Sequence, residues 1–142
     1  MQPAKTFVVC KTLVINQDGQ LLVMKRAEMM PRRPNEWDIP GGGQENGEGL
    51  TAAAIRETVE ESGIVLREPL LVYAHTEMRD YGSGSWLFFL AHVKNPDVQI
   101  SPEHTEYRWV SLAEAVSLID YSLHKQVLGY IMSHNLHLAS TR

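Results

Sequence analysis

The 142-residue chain has one cysteine, no excess of positive charge and no apolar run of membrane-spanning length. A single thiol cannot form an intramolecular disulfide framework and suits a reducing compartment. Cys10 lies in the apolar run FVVCKTLVI, where packing is the ordinary use of a thiol. The net charge of -4 argues against a binder of nucleic-acid polymers, which carries a basic patch. It leaves phosphate esters open, because a metal ion can supply the missing positive charge. Lys5 and Lys11 bracket an apolar stretch too short for a secretory signal, and no segment approaches the roughly 20 apolar residues of a membrane helix. These absences point to the cytoplasm. Repeats, linkers and low-complexity tracts are absent as well.

What is present reads as one folded α+β domain over residues 1–142: 44% hydrophobic and 21% charged residues are close to the globular average. Thr6 to Asn16 is β-branched and predicts a strand, Asp18-Gly19 a turn, and Leu21 to Arg26 the returning hairpin partner. Pro31 and Pro34 break the pattern into a loop carrying Arg32 and Arg33. WDIP is a short extended piece, followed by the glycines Gly41 to Gly43. A helix is expected from Leu50 to Ser62, stopped by Gly63, with Ala52, Ile55 and Val59 as its apolar stripe. Strands follow near Leu70 to Thr76 and Ser85 to Val93, separated by the polar loop EMRDYGSG, and VQI and EYRWV are further short strands. Ser111 with Glu114 makes a capping box for the helix SLAEAVSLI, and Ser122 to His134 forms a last amphipathic helix.

Glu57, Glu60 and Glu61 stand at i, i+3 and i+4, so a helix projects them together. Like charges at this spacing repel by roughly 0.2–0.5 kcal/mol per pair, which a bound cation would reverse. A solvated acidic face is the plain alternative. The glycines ahead of the helix let a ligand approach free backbone N–H groups at its positive end, while carboxylate oxygens are the hard ligands magnesium takes. Together they suggest a metal–phosphate site.

At these positions the sequence resembles the Nudix box: a glycine, five residues, a glutamate, seven residues, then R-E-aliphatic-x-E-E-x-G-aliphatic. Gly42, Glu48, Arg56-Glu57, Glu60-Glu61, Gly63 and Ile64 fall in register, and only Thr58 departs, in the first aliphatic slot. The resemblance implies a Nudix fold, an α/β/α sandwich with a central mixed β-sheet. It also implies hydrolysis of a nucleoside diphosphate-linked substrate, foremost a nucleoside triphosphate, with a dinucleoside polyphosphate or ADP-sugar as the alternative. A nucleotide-binding module without catalysis is the reading from another class, disfavoured because all the box glutamates are kept.

By the same resemblance Glu57, Glu60 and Glu61 bind Mg2+, with Mn2+ able to substitute, helped by a carbonyl at Gly41. Glu48 and Arg56 form a structural pair, and Gly42 and Gly63 support the box. Glu60, Glu61 and a carboxylate outside the box carry catalysis. Glu103 is favoured for that outside role, ahead of Glu106 and Glu77. Arg26, Arg32, Trp37 and Tyr81 are the candidate substrate contacts; loop solubility for the arginines and core packing for Trp37 are the plain alternatives. His104, beside Glu103, is a candidate second partner. The partner is a small nucleotide. Several members of that family are homodimers, though no stretch here announces an interface.

Overall fold

The structure, a computed structural model, describes residues 5–80 and 82–138. Its centre is a mixed sheet in which β1 (Thr6–Ile15) runs parallel to β6 (Gly82–His92) along its whole length. The path is β3-β2-β1-β6-β5, with β2 (Leu21–Arg26), β3 (Trp37–Asp38) and β5 (Leu70–Arg79) completing it. β4 (Gly41–Gly43) pairs antiparallel with β1, and β7 (His104–Val110) with β2. The β1–β2 turn is tied by Asn16, whose Oδ1 accepts the N–H groups of Asp18 and Gln20.

Strict alternation along the strands makes two cores. Leu13, Ile15, Leu21, Val23, Trp86, Phe88 and Leu90 face α2 (Leu112–Leu118) and α3 (Ser122–Ser133). Val14, Leu22, Met24 and Ala91, with Cys10 and Phe89, face the opposite side, where α1 (Leu50–Ser62) packs. Helices therefore cover both faces, giving the α/β/α sandwich. Fully burying each such aliphatic side chain contributes roughly 1.5–3 kcal/mol. No helix among the described residues is long and apolar enough to cross a membrane.

Three expectations need correction. Of the expected stripe Ala52, Ile55 and Val59, only Ile55 packs against the core; the buried residues of α1 are Ala53, Ala54, Thr58, Glu61 and Ser62. Small residues let the helix lie close on the sheet, and Val59 is left 39% exposed. Thr58 is fully buried, its hydroxyl donating to the Ala54 carbonyl, so it fills the aliphatic slot with its polar atom satisfied. The polar segment between β5 and β6 is not a loop. The ladder continues to Arg79 opposite Gly82, helped by a Thr76–Ser85 hydroxyl contact across the strands. Finally, VQI forms no strand. The N–H groups of Gln99 and Ser101 bond the carbonyls of Ser62 and Glu61, which the helix end leaves unsatisfied, and Val98 and Ile100 pack beneath.

Candidate active site

α1 ends where its chemistry requires a sharp exit. Gly63 adopts φ 75° and its N–H bonds the Val59 carbonyl, a left-handed cap that a side chain would strain. Two residues earlier Glu61 points inward, 6% exposed, and its Oε1 accepts the Gly41 N–H at 3.0 Å. Burial pushes its carboxyl up to about 7, against the pull of nearby Lys11 and the Gly41 N–H. Burial also raises Glu57. Glu60 lies at the mouth, its side chain 55% exposed.

Arg56 binds these acids together. Its Nε and Nη2 donate to Glu48 at 2.7 and 3.0 Å in a fork, and Nη2 reaches the Gly43 carbonyl at 3.0 Å. Its Nη1 donates to Glu57 at 2.9 Å and to Glu60 at 3.3 Å. The Arg56 hydrogen bonds hold the Glu48 carboxyl below its usual range. The helix is thereby fixed to the glycine turn, whose two key positions exclude side chains for different reasons. At Gly41, with φ 149°, a Cβ would stand 2.3 Å from the Cys10 carbonyl oxygen. At Gly42 it would stand 2.6 Å from the Glu57 carboxylate.

On one side of this turn, Glu57, Glu60 and Glu61 line a cavity of about 420 Å³ whose opposite wall is Ser101, Pro102 and Glu103. Glu103 arrives there because the loop before it is docked on the end of α1, and its carbonyl accepts the Ala27 N–H at 2.8 Å. Glu106 instead pairs with Arg108, and Glu77 with Arg79, each at 3.0 Å. The charged groups of the cavity are all carboxylates, two of them raised by burial, which is the chemistry that a hard divalent cation satisfies. As the side chains stand, Arg56 holds the charge-neutralising place, and among the described residues no three His, Cys, Asp or Glu side chains close into a metal cage. Gly41 is tied to Glu61 through its N–H.

On the other side lies a cleft of about 430 Å³ walled by Phe7, Trp86 and Tyr121 and lined by Arg26, Arg32 and Arg33. Lys11 and Arg79 line it too. Phe7 meets Trp86 edge-on at 5.4 Å; Arg79 lies over Trp86 and Arg33 over Tyr121, at 5.0 and 4.4 Å. The arginines singled out in the sequence are thus brought together, but Trp37 is not with them. Its ring packs against the core under the Arg108 guanidinium, 4.8 Å away, because β3 turns that face toward β7. Tyr81 lies outside the described residues. Sequence reasoning missed Lys11, Phe7, Arg79, Trp86 and Tyr121. Lys11 alone left a signal, a charge inside an otherwise apolar strand. His104 is buried, its ring pushed down to about 4 by desolvation, and its Nδ1 has no hydrogen-bond partner among the described residues.

A family model described as the NUDIX domain matches residues 6–129. The asymmetrical bis(5'-nucleosyl)-tetraphosphatase of Caenorhabditis elegans is 37% identical over 95 residues, covering 63% of this chain and 68% of that protein. The nucleoside triphosphatase NudI of Escherichia coli O81 is 32% identical over 120 residues, covering 77% and 84%. Among solved structures, a MutT protein from Methanosarcina mazei Go1 superposes with TM-score 0.82 at 24% identity, over 95% of this chain and 99% of that one. An Ap4A hydrolase from C. elegans superposes with TM-score 0.76 at 25% identity, over 93% and 99%. With the box, the sandwich and the family model in agreement, the chain belongs to the Nudix family of hydrolases.

Proposed function

We propose that this chain is a pyrophosphohydrolase that cleaves a nucleoside triphosphate to a nucleoside monophosphate and pyrophosphate in a divalent-metal-dependent reaction. The observation that carries this reading is the placement of a cavity lined by four carboxylates and a cationic, aromatic-walled cleft on the two sides of Gly41 and Gly42. Arg26, Arg32, Arg33 and Lys11 bind the polyphosphate, and Trp86 or Phe7 packs on the base. Mg2+ held by Glu57, Glu60 and Glu61, with Mn2+ as a substitute, would neutralise phosphoryl charge and lower the pKa of a bound water. Glu103, across the cavity, takes the proton of the attacking water on its carboxylate. The water oxygen adds to phosphorus, the bridging P–O bond breaks, and pyrophosphate departs into the cationic cleft. Glu48 and Arg56 hold the loop to the helix throughout. The substrate is a small nucleotide rather than a polymer, residues 1–142 act as one unit, and the compartment is the cytoplasm.

A dinucleoside polyphosphate is the second reading, favoured by the tetraphosphatase from C. elegans, the more similar in sequence of the two relatives. The test is release of phosphate and pyrophosphate from NTPs, dNTPs, oxidised dGTP, ADP-ribose and dinucleoside polyphosphates, with Mg2+, with Mn2+ and with chelator. Pyrophosphate from a triphosphate, abolished by chelator, supports the first reading. Turnover of dinucleoside polyphosphates alone supports the second. Binding without any product, by a folded protein, overturns both.

A further inference from the structure

Asp38 lies at the back of the arginine cleft, fully buried in β3, and four side chains from four parts of the chain converge on it. Its Oδ1 stands 3.3 Å from Lys11 Nζ on β1 and 3.3 Å from His124 Nδ1 on α3. Its Oδ2 stands 3.3 Å from Arg26 Nη1 at the end of β2 and 3.1 Å from Arg33 Nη2 in the following loop. The Ile39 N–H adds a bond of 2.8 Å to Oδ1. The Lys11 and Arg33 charges and that bond hold the Asp38 carboxyl far below its usual range against burial, so it is ionised. His124 is neutral, its ring pushed down to about 3 by burial.

The charges inside this cluster do not close. Three cations share one carboxylate. Among the described residues the only other acid within ion-pair distance of them is Glu36, which reaches Arg33 alone at 3.9 Å. Arg33 Nη1 is buried without a hydrogen-bond partner among the described residues. Cations withdrawn from water need compensation, and the side on which it is missing is the side that lines the cleft. Arg26 is further fixed by its Nε bond to the Arg32 carbonyl at 3.0 Å.

Building on the pyrophosphohydrolase reading, we propose that Asp38 is a positioning residue: it holds Lys11, Arg26 and Arg33 in advance as one cradle for the substrate's polyphosphate. The carboxylate touches no substrate atom. It fixes two flexible arginines and a buried lysine before the anion arrives, so their ordering entropy is not lost on binding. On α3, the neutral His124 ring stands 3.3 Å from the carboxylate, and Tyr121, whose ring is 4.8 Å from the imidazole, packs beside it.

The test is binding of inorganic tripolyphosphate, measured calorimetrically in chelator, with nucleotide kinetics alongside. The wild type should bind tripolyphosphate more tightly than orthophosphate. Asp38→Asn should weaken tripolyphosphate by about tenfold and raise KM for the nucleotide by a similar factor, with kcat within about threefold. Arg33→Lys keeps the charge but loses the fork that reaches Asp38; it lies in a loop outside every core cluster, so it carries the test should Asp38→Asn fail to fold. It should weaken tripolyphosphate at least about fivefold. No preference for tripolyphosphate in the wild type, unchanged affinity in Arg33→Lys, or a fall in kcat at constant KM in Asp38→Asn would each overturn the proposal. Tripolyphosphate binding in chelator is independent of turnover, so an inactive wild type would count against the hydrolase reading and leave this measurement standing.

Discussion

The Gly41 N–H and the buried carboxylate of Glu61 meet at 3.0 Å, joining the glycine turn to the last turn of α1. That bond explains how an acid 6% exposed is tolerated between helix and sheet. It also separates two kinds of glycine. Gly41→Ala would drive a Cβ into the Cys10 carbonyl and break the β1–β4 pairing, so loss of the folded protein is expected. Gly42→Ala meets only the far end of Glu57, a side chain able to move. The fold should persist, with its thermal midpoint within a few degrees, while turnover falls at least about tenfold because Glu57 is displaced. Thermal melts and steady-state rates on the two variants check the contrast.

Glu60→Gln addresses the carboxylate helix more directly. Glu60 is the most exposed of the three acids, and its hydrogen bonds among the described residues are with the Arg56 guanidinium, so its replacement disturbs little packing. Folding should be unchanged and turnover should drop by about two orders of magnitude or more, the size expected when a charge-stabilising group is lost from a site. The same loss, partly recovered by raising the metal concentration, would separate weakened metal binding from lost chemistry. Normal rates would remove Glu60 from the site.

The packing of α1 gives a prediction that runs against its sequence pattern. Helical spacing pointed to Ala52, Ile55 and Val59, which face away from most of the acidic side. The sheet selected Ala53, Ala54 and Thr58 instead, since the helix must come close enough for Glu61 to reach Gly41. Val59→Ala should therefore cost well under about 1 kcal/mol, as a surface change does. Ala54→Leu, forced into a fully buried position, should cost about 1–3 kcal/mol or more. Urea midpoints of the two variants decide it.

The same comparison shows what could be read in advance. The β-branched strands and the box with its spacing were legible in local composition and fixed separation, and the resemblance carried the Glu48–Arg56 pair with them. The cleft was not. Phe7, Trp86 and Tyr121 come from β1, β6 and the start of α3, and only the parallel β1–β6 ladder brings the first two together. Trp37 was legible as an aromatic beside the box but not as a residue facing β7. Likewise VQI has a strand's composition, yet the unsatisfied carbonyls of Glu61 and Ser62 offered its N–H groups nearer partners than any strand.

His124 gives the clearest dependence on pH. In the folded chain burial pushes its ring down from 6.5 to about 3; the Asp38 carboxylate opposes this, and Lys11, Arg33 and Arg26 reinforce it. Between these values the unfolded chain binds the extra proton, so this group's contribution to stability is intact above about pH 6.5 and is lost as pH falls toward 3. From pH 7 to pH 5 the loss is about 2 kcal/mol. Glu61 works in the opposite sense over part of the same window: raised from 4.5 to about 7, it makes the folded chain the better proton binder as pH falls. Asp38 titrates below that window, so it contributes little to the change. The net slope of the wild type therefore mixes signs, and the informative quantity is its difference from His124→Phe. Phe keeps the aromatic contacts to Phe88 and Tyr121 and removes the titration, although it surrenders a partner of Asp38 and should be less stable at pH 7. Urea unfolding of both proteins at the two pH values should show the variant losing about 2 kcal/mol less than the wild type on acidification. Parallel losses in the two proteins would mean that the imidazole takes up its proton without leaving the folded state.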